Sequence, residues 1–114
     1  MKHRLRVVNA AGLAHGEARV FELERRGEKL EGFLISHHGG LFAYANICPH
    51  WYVDLDMGDG HFYAADVDRI FCKNHAALFR VEDGVCDFGP CVGQALESFI
   101  VEVEGDDAWV ESSS

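Results

Sequence analysis

The chain has 114 residues, 48% of them hydrophobic, and a formal net charge of −9 at pH 7. A chain of this size buries roughly two-thirds of its unfolded surface, enough for one core and too little for two. No apolar run approaches the ~20 residues that span a bilayer, the basic start Met1-Lys-His-Arg-Leu-Arg6 leads into a stretch broken by Asn9 and Gly12, where the apolar region of a secretory leader is expected to be longer and more apolar, and the acidic balance argues against a nucleic-acid partner.

In chain order, apolar and polar residues alternate over Arg4–Val8, Ala18–Glu24, Leu30–Ile35 and Leu41–Ala45, and a period of two predicts strands. In the second segment Phe21 and Leu23 lie opposite Val20 and Glu22. Turns are expected at Arg26-Gly-Glu, His38-Gly-Gly40, Gly58-Asp-Gly60, Glu82-Asp-Gly84 and Glu104-Gly-Asp-Asp107. His37 and His38 read as part of a solvated hairpin turn, with a second metal site as the minor alternative, and His3, His15 and His61 as isolated. Asp54, Asp56 and Asp59 suggest a calcium loop, but Asp59 and Ala65 stand where its glycine and final glutamate belong. A solvated acidic loop is expected instead. Ser98–Glu104 alternates Phe99, Val101 and Val103 with polar residues, and Ala108-Trp-Val110 supplies a closing strand. Little is helical, so the fold class is all-β, a sandwich or barrel.

The chemistry is concentrated in Cys48-Pro-His50 and, after 21 intervening residues, Cys72-Lys-Asn-His75. Two thiolates and two neutral imidazoles suit a tetrahedral zinc or an iron-sulfur centre. Zinc ribbons pair cysteines in each knuckle or gather the histidines together, whereas each loop here brings one of each kind, an arrangement that fits a two-iron cluster with both cysteines on one iron and both histidines on the other.

At these residues the chain resembles the Rieske family, whose signature is Cys-x-His, a spacer of roughly 15 to 21 residues, then Cys-x2-His. The resemblance extends to Gly40-Leu-Phe-Ala-Tyr-Ala-Asn46 before the first pair, and to Ala76-Ala-Leu-Phe79-Arg-Val-Glu-Asp-Gly84 and Gly89-Pro90-Cys91 after the second. The chain departs from the family pattern at Tyr52 and Ala76, where glycine is common. The resemblance implies one [2Fe-2S] cluster held by Cys48, His50, Cys72 and His75. It also implies an antiparallel β-sandwich or barrel base, residues 1–46 and 93–114, with an inserted cluster-binding subdomain, residues 47–92.

It implies function as well: a stand-alone ferredoxin that passes single electrons from a flavin reductase to a terminal oxygenase. No general base, nucleophile or nucleotide-binding loop accompanies the four ligands, so an electron carrier is expected and not an enzyme. High-potential relatives carry hydroxyls where this chain has Ala77 and Phe79, and cross-linking cysteines where it has Val53 and Asn74. A potential near the roughly −150 mV end of the Rieske range is therefore expected. Other readings are a Rieske-fold small subunit of a larger redox enzyme, such as a nitrite reductase, and a structural Cys2His2 zinc module.

Charge and the remaining cysteines complete the expectation. Residues 1–46 hold seven basic and five acidic side chains, residues 47–92 three and eight, and residues 93–114 none and six. Such an acidic carrier should meet basic-surfaced redox partners in fast, salt-sensitive encounters, with neither nucleic acid nor membrane involved. Cys86 and Cys91 read as partly buried free thiols near the cluster loops, with a local disulfide or redox sensor as the second reading. A reducing compartment, the cytoplasm, follows from cysteines committed to metal. Trp51 could shield the cluster or touch a partner.

Overall fold

The described residues form ten strands and one 3-10 turn: β1 (Arg4–Val7), the turn Ala10–Gly12, β2 (Ala18–Arg25), β3 (Glu28–His37), β4 (Gly40–Ala45), β5 (Tyr63–Ala64), β6 (Arg69–Cys72), β7 (Ala77–Phe79), β8 (Cys86–Phe88), β9 (Ser98–Glu104) and β10 (Asp107–Glu111). The computed structural model describes residues 4–49, 53–73 and 76–112, and of Arg25 the backbone alone. All pairing is antiparallel. A six-stranded sheet runs β1-β10-β9-β4-β3-β2, and a four-stranded sheet β5-β6-β7-β8. The larger sheet narrows to two residue pairs between β4 and β9 and curls towards a barrel, its edge strands linked where Arg19 Nη1 donates to the Val8 carbonyl at 2.9 Å.

The strands expected from alternation all form, with boundaries moved by turn chemistry. Arg26 and Gly27 have φ of 55° and 77°, and His38 and Gly39 of 47° and 84°. Two consecutive left-handed residues make the tight hairpin turn whose twist matches its strands. β3 can therefore run the full way between the two turns. His37 is thereby corrected from turn to strand: it ends β3 at 4% exposure, and His38 alone occupies the solvated turn. Strands β5 to β8 are two to four residues long, too short for a period of two to be read. The C-terminal pattern fades along β9, where Phe99 is buried while Val103 is 54% exposed.

β3 is buried on both faces from Gly32 to His37. Leu34, with Ala43 and Ala45 of β4, faces the barrel core of Val7, Phe21, Leu23, Phe99, Ala108 and Val110. Phe33 and Ile35, with Tyr44, face a second core that contains Phe62, Ile70, Phe79, Val81 and all four cysteines. Phe33 and Phe62 stack with ring centroids 4.0 Å apart, and each fully buried phenylalanine contributes about 2–3 kcal/mol. One pair of strands is thus the common wall of two cores.

Tyr44 fastens that wall to the smaller sheet. Its hydroxyl donates to the Val81 carbonyl at 2.5 Å, and burial, reinforced by the charges of Asp83 and Glu82, pushes its pKa well above the ordinary phenol value. Gly84 passes so close that a Cβ would lie 2.7 Å from the Tyr44 ring, at a φ of +73°. Tyr44→Phe is expected to cost about 1–2 kcal/mol, because the buried Val81 carbonyl loses its donor; a fall of several degrees in melting temperature checks it.

Candidate metal centre

Two thiols define the described part of the centre. Cys48 follows β4 by three residues and Cys72 ends β6. Both are fully buried in the second core, beside Cys86 and Cys91. The structure brings these two ligand candidates into one core. His50 and His75, with Trp51, Tyr52 and Asn74, lie outside the described residues.

Backbone hydrogen bonds close the first loop and tie it to the second. Cys48 N donates to the Val53 carbonyl at 2.8 Å, and Lys73 N to the Leu55 carbonyl at 3.0 Å. Leu55 N in turn donates to Asn46 Oδ1 at 2.8 Å, and Asn46 Nδ2 donates to Glu31 Oε1 at 2.6 Å and to Asp56 Oδ1 at 3.1 Å. Ala76, one residue past the second pair, has φ of +55°. That is the left-handed conformation glycine adopts freely, and here an alanine holds it.

The acidic spacer is not a solvated loop throughout. Asp56 is 2% exposed and accepts from Gly58 N at 3.1 Å and Gly60 N at 2.9 Å, the Asx-turn use of an aspartate two residues before glycine. Burial would raise its pKa, but the bonds from Asn46, Gly58 and Gly60 outweigh burial and hold it below the ordinary carboxylate value. Asp56-Met-Gly-Asp-Gly60 carried the signal for this cage, since each glycine N–H is a donor within reach of the aspartate.

The segment from Cys86 to Gln94 adds two more cysteines to the same core. Cys86 N donates to the Gln94 carbonyl at 2.7 Å, and Gly93 N to the Cys86 carbonyl at 3.0 Å. Gly89 has φ of +106°, and a Cβ there would lie 2.8 Å from Ala77 Cα, so only glycine lets this loop press on β7. Cys86 and Cys91 are each 1% exposed, buried more fully than expected. Their Sγ atoms are 3.1 Å apart, and none of the four cysteines forms a disulfide. Burial, then the neighbouring Cys86, raises the Cys91 thiol to about 12. It therefore stays protonated at neutral pH.

The donor chemistry fits the cysteine half of a [2Fe-2S] group. Two buried thiols from separate loops share one apolar core with Cys86 and Cys91, the dry surroundings that a cluster bound by sulfur requires.

Comparison with known proteins agrees with that chemistry. Residues 3–103 match the Rieske [2Fe-2S] domain family. The ferredoxin component of the alkene monooxygenase system of Xanthobacter autotrophicus (strain ATCC BAA-1158 / Py2) is 39% identical over 90 residues, which cover 79% of this chain and 66% of that protein. The ferredoxin component of biphenyl 2,3-dioxygenase from Rhodococcus jostii (strain RHA1) is 32% identical over 108 residues, 93% of this chain and 90% of that one. Among solved structures, the ferredoxin of carbazole 1,9a-dioxygenase from Nocardioides aromaticivorans IC177 superposes with a TM-score of 0.74 at 26% identity, covering 96% of this chain and 98% of that one.

Asp56→Ala removes an acceptor from the buried Asn46 amide, which keeps Glu31, and from the part-buried Gly58 and Gly60 N–H groups, and is expected to cost about 1–2 kcal/mol and to speed bleaching of the visible absorption in urea. The Asp56 pKa is lowered on folding, so its stabilisation is present above the unfolded value of about 4 and is lost as pH falls through the lower, folded one. The variant and the parent should therefore converge in stability under acid.

Proposed function

The chain belongs to the Rieske [2Fe-2S] domain family, and from that premise we propose that it is a one-electron carrier, passing electrons from a flavin reductase to a terminal oxygenase. In this reading residues 47–92 form the cluster-binding subdomain on a base of residues 1–46 and 93–114. Cys48 and Cys72 hold the inner iron and His50 and His75 the outer one. The observation that carries the proposal is the meeting of Cys48 and Cys72 in one dry core.

The bound group supplies a one-electron couple. The chain supplies position, dryness and a docking face. Loops held by Asn46, Asp56 and the Cys86–Gln94 hydrogen bonds keep the thiols in place across both redox states. In the segment from Cys86 to Gln94, Phe88 and Val92 are 60% and 63% exposed, an apolar contact close in the chain to Cys86 and Cys91 such as redox partners meet. The acidic surroundings, with eight carboxylates against three basic residues in 47–92, favour a partner with a basic patch. Two named relatives are ferredoxin components of oxygenase systems, and the ferredoxin of carbazole 1,9a-dioxygenase, 27% identical here with a TM-score of 0.71, is known in complex with its oxygenase. Four cysteines without a disulfide support a reducing, cytoplasmic setting. Among the described residues no helix is long and apolar enough to cross a membrane.

Anaerobically purified protein is expected to be red-brown, with iron in place of zinc and a reduced-state EPR signal of low average g after dithionite. Colourless protein carrying zinc would overturn the electron-transfer reading. Phe79 is fully buried in the cysteine-lined core, where high-potential relatives have tyrosine. Phe79→Tyr is expected to raise the reduction potential by roughly 40 mV, the one-electron equivalent of a ~1 kcal/mol hydrogen bond; voltammetry of the two proteins reads it directly.

A further inference from the structure

Four metal-ligating side chains meet at the end of the smaller sheet away from the thiols. His15 stands in the loop before β2, His37 ends β3, His38 occupies the β3–β4 turn, and Asp68 the β5–β6 turn. One ligand atom from each lies within 4.8 Å of all the others. Asp68 is four residues from Cys72 along β6, or about 13 Å at strand rise. We propose that His15, His37, His38 and Asp68 form a second metal site, which takes a divalent first-row transition ion of the zinc class.

The donor set selects that class, since imidazoles with one carboxylate suit zinc, nickel and copper and not calcium or magnesium. His37 is arranged as a ligand. Its Nδ1 lies 3.1 Å from Glu82 Oε1, and its Nε2 lies 2.8 Å from Asp68 Oδ1. With an ion bound, Nδ1–H would stay on Glu82, the outer carboxylate that commonly orients a ligating histidine, while Nε2, which here donates to Asp68, would give up its proton and turn to the metal.

Asp68 is held in position for ligation. Tyr63 O–H donates to the same Oδ1 that His37 Nε2 faces, so both neighbours orient the carboxylate towards the cluster.

The three rings are already gathered, with centroids 4.3 to 5.0 Å apart. Ligands at 2.0–2.1 Å in a tetrahedron stand roughly 3.4 Å from one another, so atoms now within 4.8 Å must close by up to about 1.4 Å. His15 Nδ1 accepts from His38 N at 3.1 Å and its Nε2 lies 3.2 Å from Tyr63 Oη. Ligation exchanges one of these contacts for the metal. His15 and His38 are exposed and the Asp68 side chain is 48% accessible, so an ion has a path in. Once bound, it would clamp the His15 loop and the β3–β4 turn to the β5–β6 turn, joining the larger sheet to the smaller.

The test uses protein that carries its iron, dialysed against micromolar zinc chloride, with zinc and iron quantified per chain on the same sample. One zinc above an unchanged iron content is expected, together with a higher melting temperature. His38→Asn, which keeps a side chain suited to positive φ, and His15→Gln should each weaken zinc binding more than ~10-fold with the visible spectrum intact. Glu82→Gln should weaken it by about 10-fold through His37 alone. Zinc binding that is absent, that persists unchanged in His38→Asn and His15→Gln, or that is matched by iron loss would overturn the proposal; the last outcome would mean that zinc had entered at Cys48 and Cys72. None of these readouts depends on an electron-transfer partner.

Discussion

Strand β3 separates two cores and belongs to both. A strand buried on one face can slide or peel with the loss of one set of contacts, but Phe33, Leu34 and Ile35 are all fully buried, alternately to opposite sides. A shift by one residue would place each in the wrong core. The register of β3 against β2 and β4 is therefore held from two directions, and the smaller sheet takes its position from the Phe33–Phe62 stack and the Tyr44–Val81 hydrogen bond. What a smaller protein would need a disulfide to achieve is done here by a doubly buried hairpin.

The centre inherits that rigidity at second hand. Asn46 leaves the end of β4 and spends its side chain on Leu55 N, Glu31 and Asp56; Asp56 then orders the next turn through Gly58 and Gly60. The chain from the common wall to the second loop is continuous, ending at Lys73 N on the Leu55 carbonyl. Satisfied buried networks of this kind are stiff because each donor has one acceptor within reach and no water to exchange with. Stiffness suits a carrier whose ligands should not rearrange as charge arrives and leaves.

Polarity is divided along the same axis. The core that holds the thiols is apolar, and Phe88 and Val92, exposed, lie close in the chain to its Cys86 and Cys91, whereas the histidine cluster is a polar group of imidazoles, carboxylates and a tyrosine. The molecule can therefore present one end to a redox partner while an ion at the other staples its two sheets together. The two ends differ in ligand softness, sulfur against imidazole and carboxylate, which lets iron-sulfur chemistry and a zinc-class ion coexist in one small chain.

Much of this was legible in the residues. Alternation located β1 to β4, β9 and β10, because one face of each meets a core and a period of two records it. The spacing of Cys48, His50, Cys72 and His75 pointed to the family, because a metal restricts which residue types a loop can hold. Only the tertiary structure revealed that His37 is buried, that Asp56 is caged, that Cys86 and Cys91 touch, and that His15 meets His38 and Asp68 across the fold. Composition and local pattern record whether a residue meets core or solvent, and they read an isolated histidine or aspartate as solvated. Its partner, 30 or so residues away, is chosen by how the hairpins pack, and that choice leaves no periodic trace in the chain.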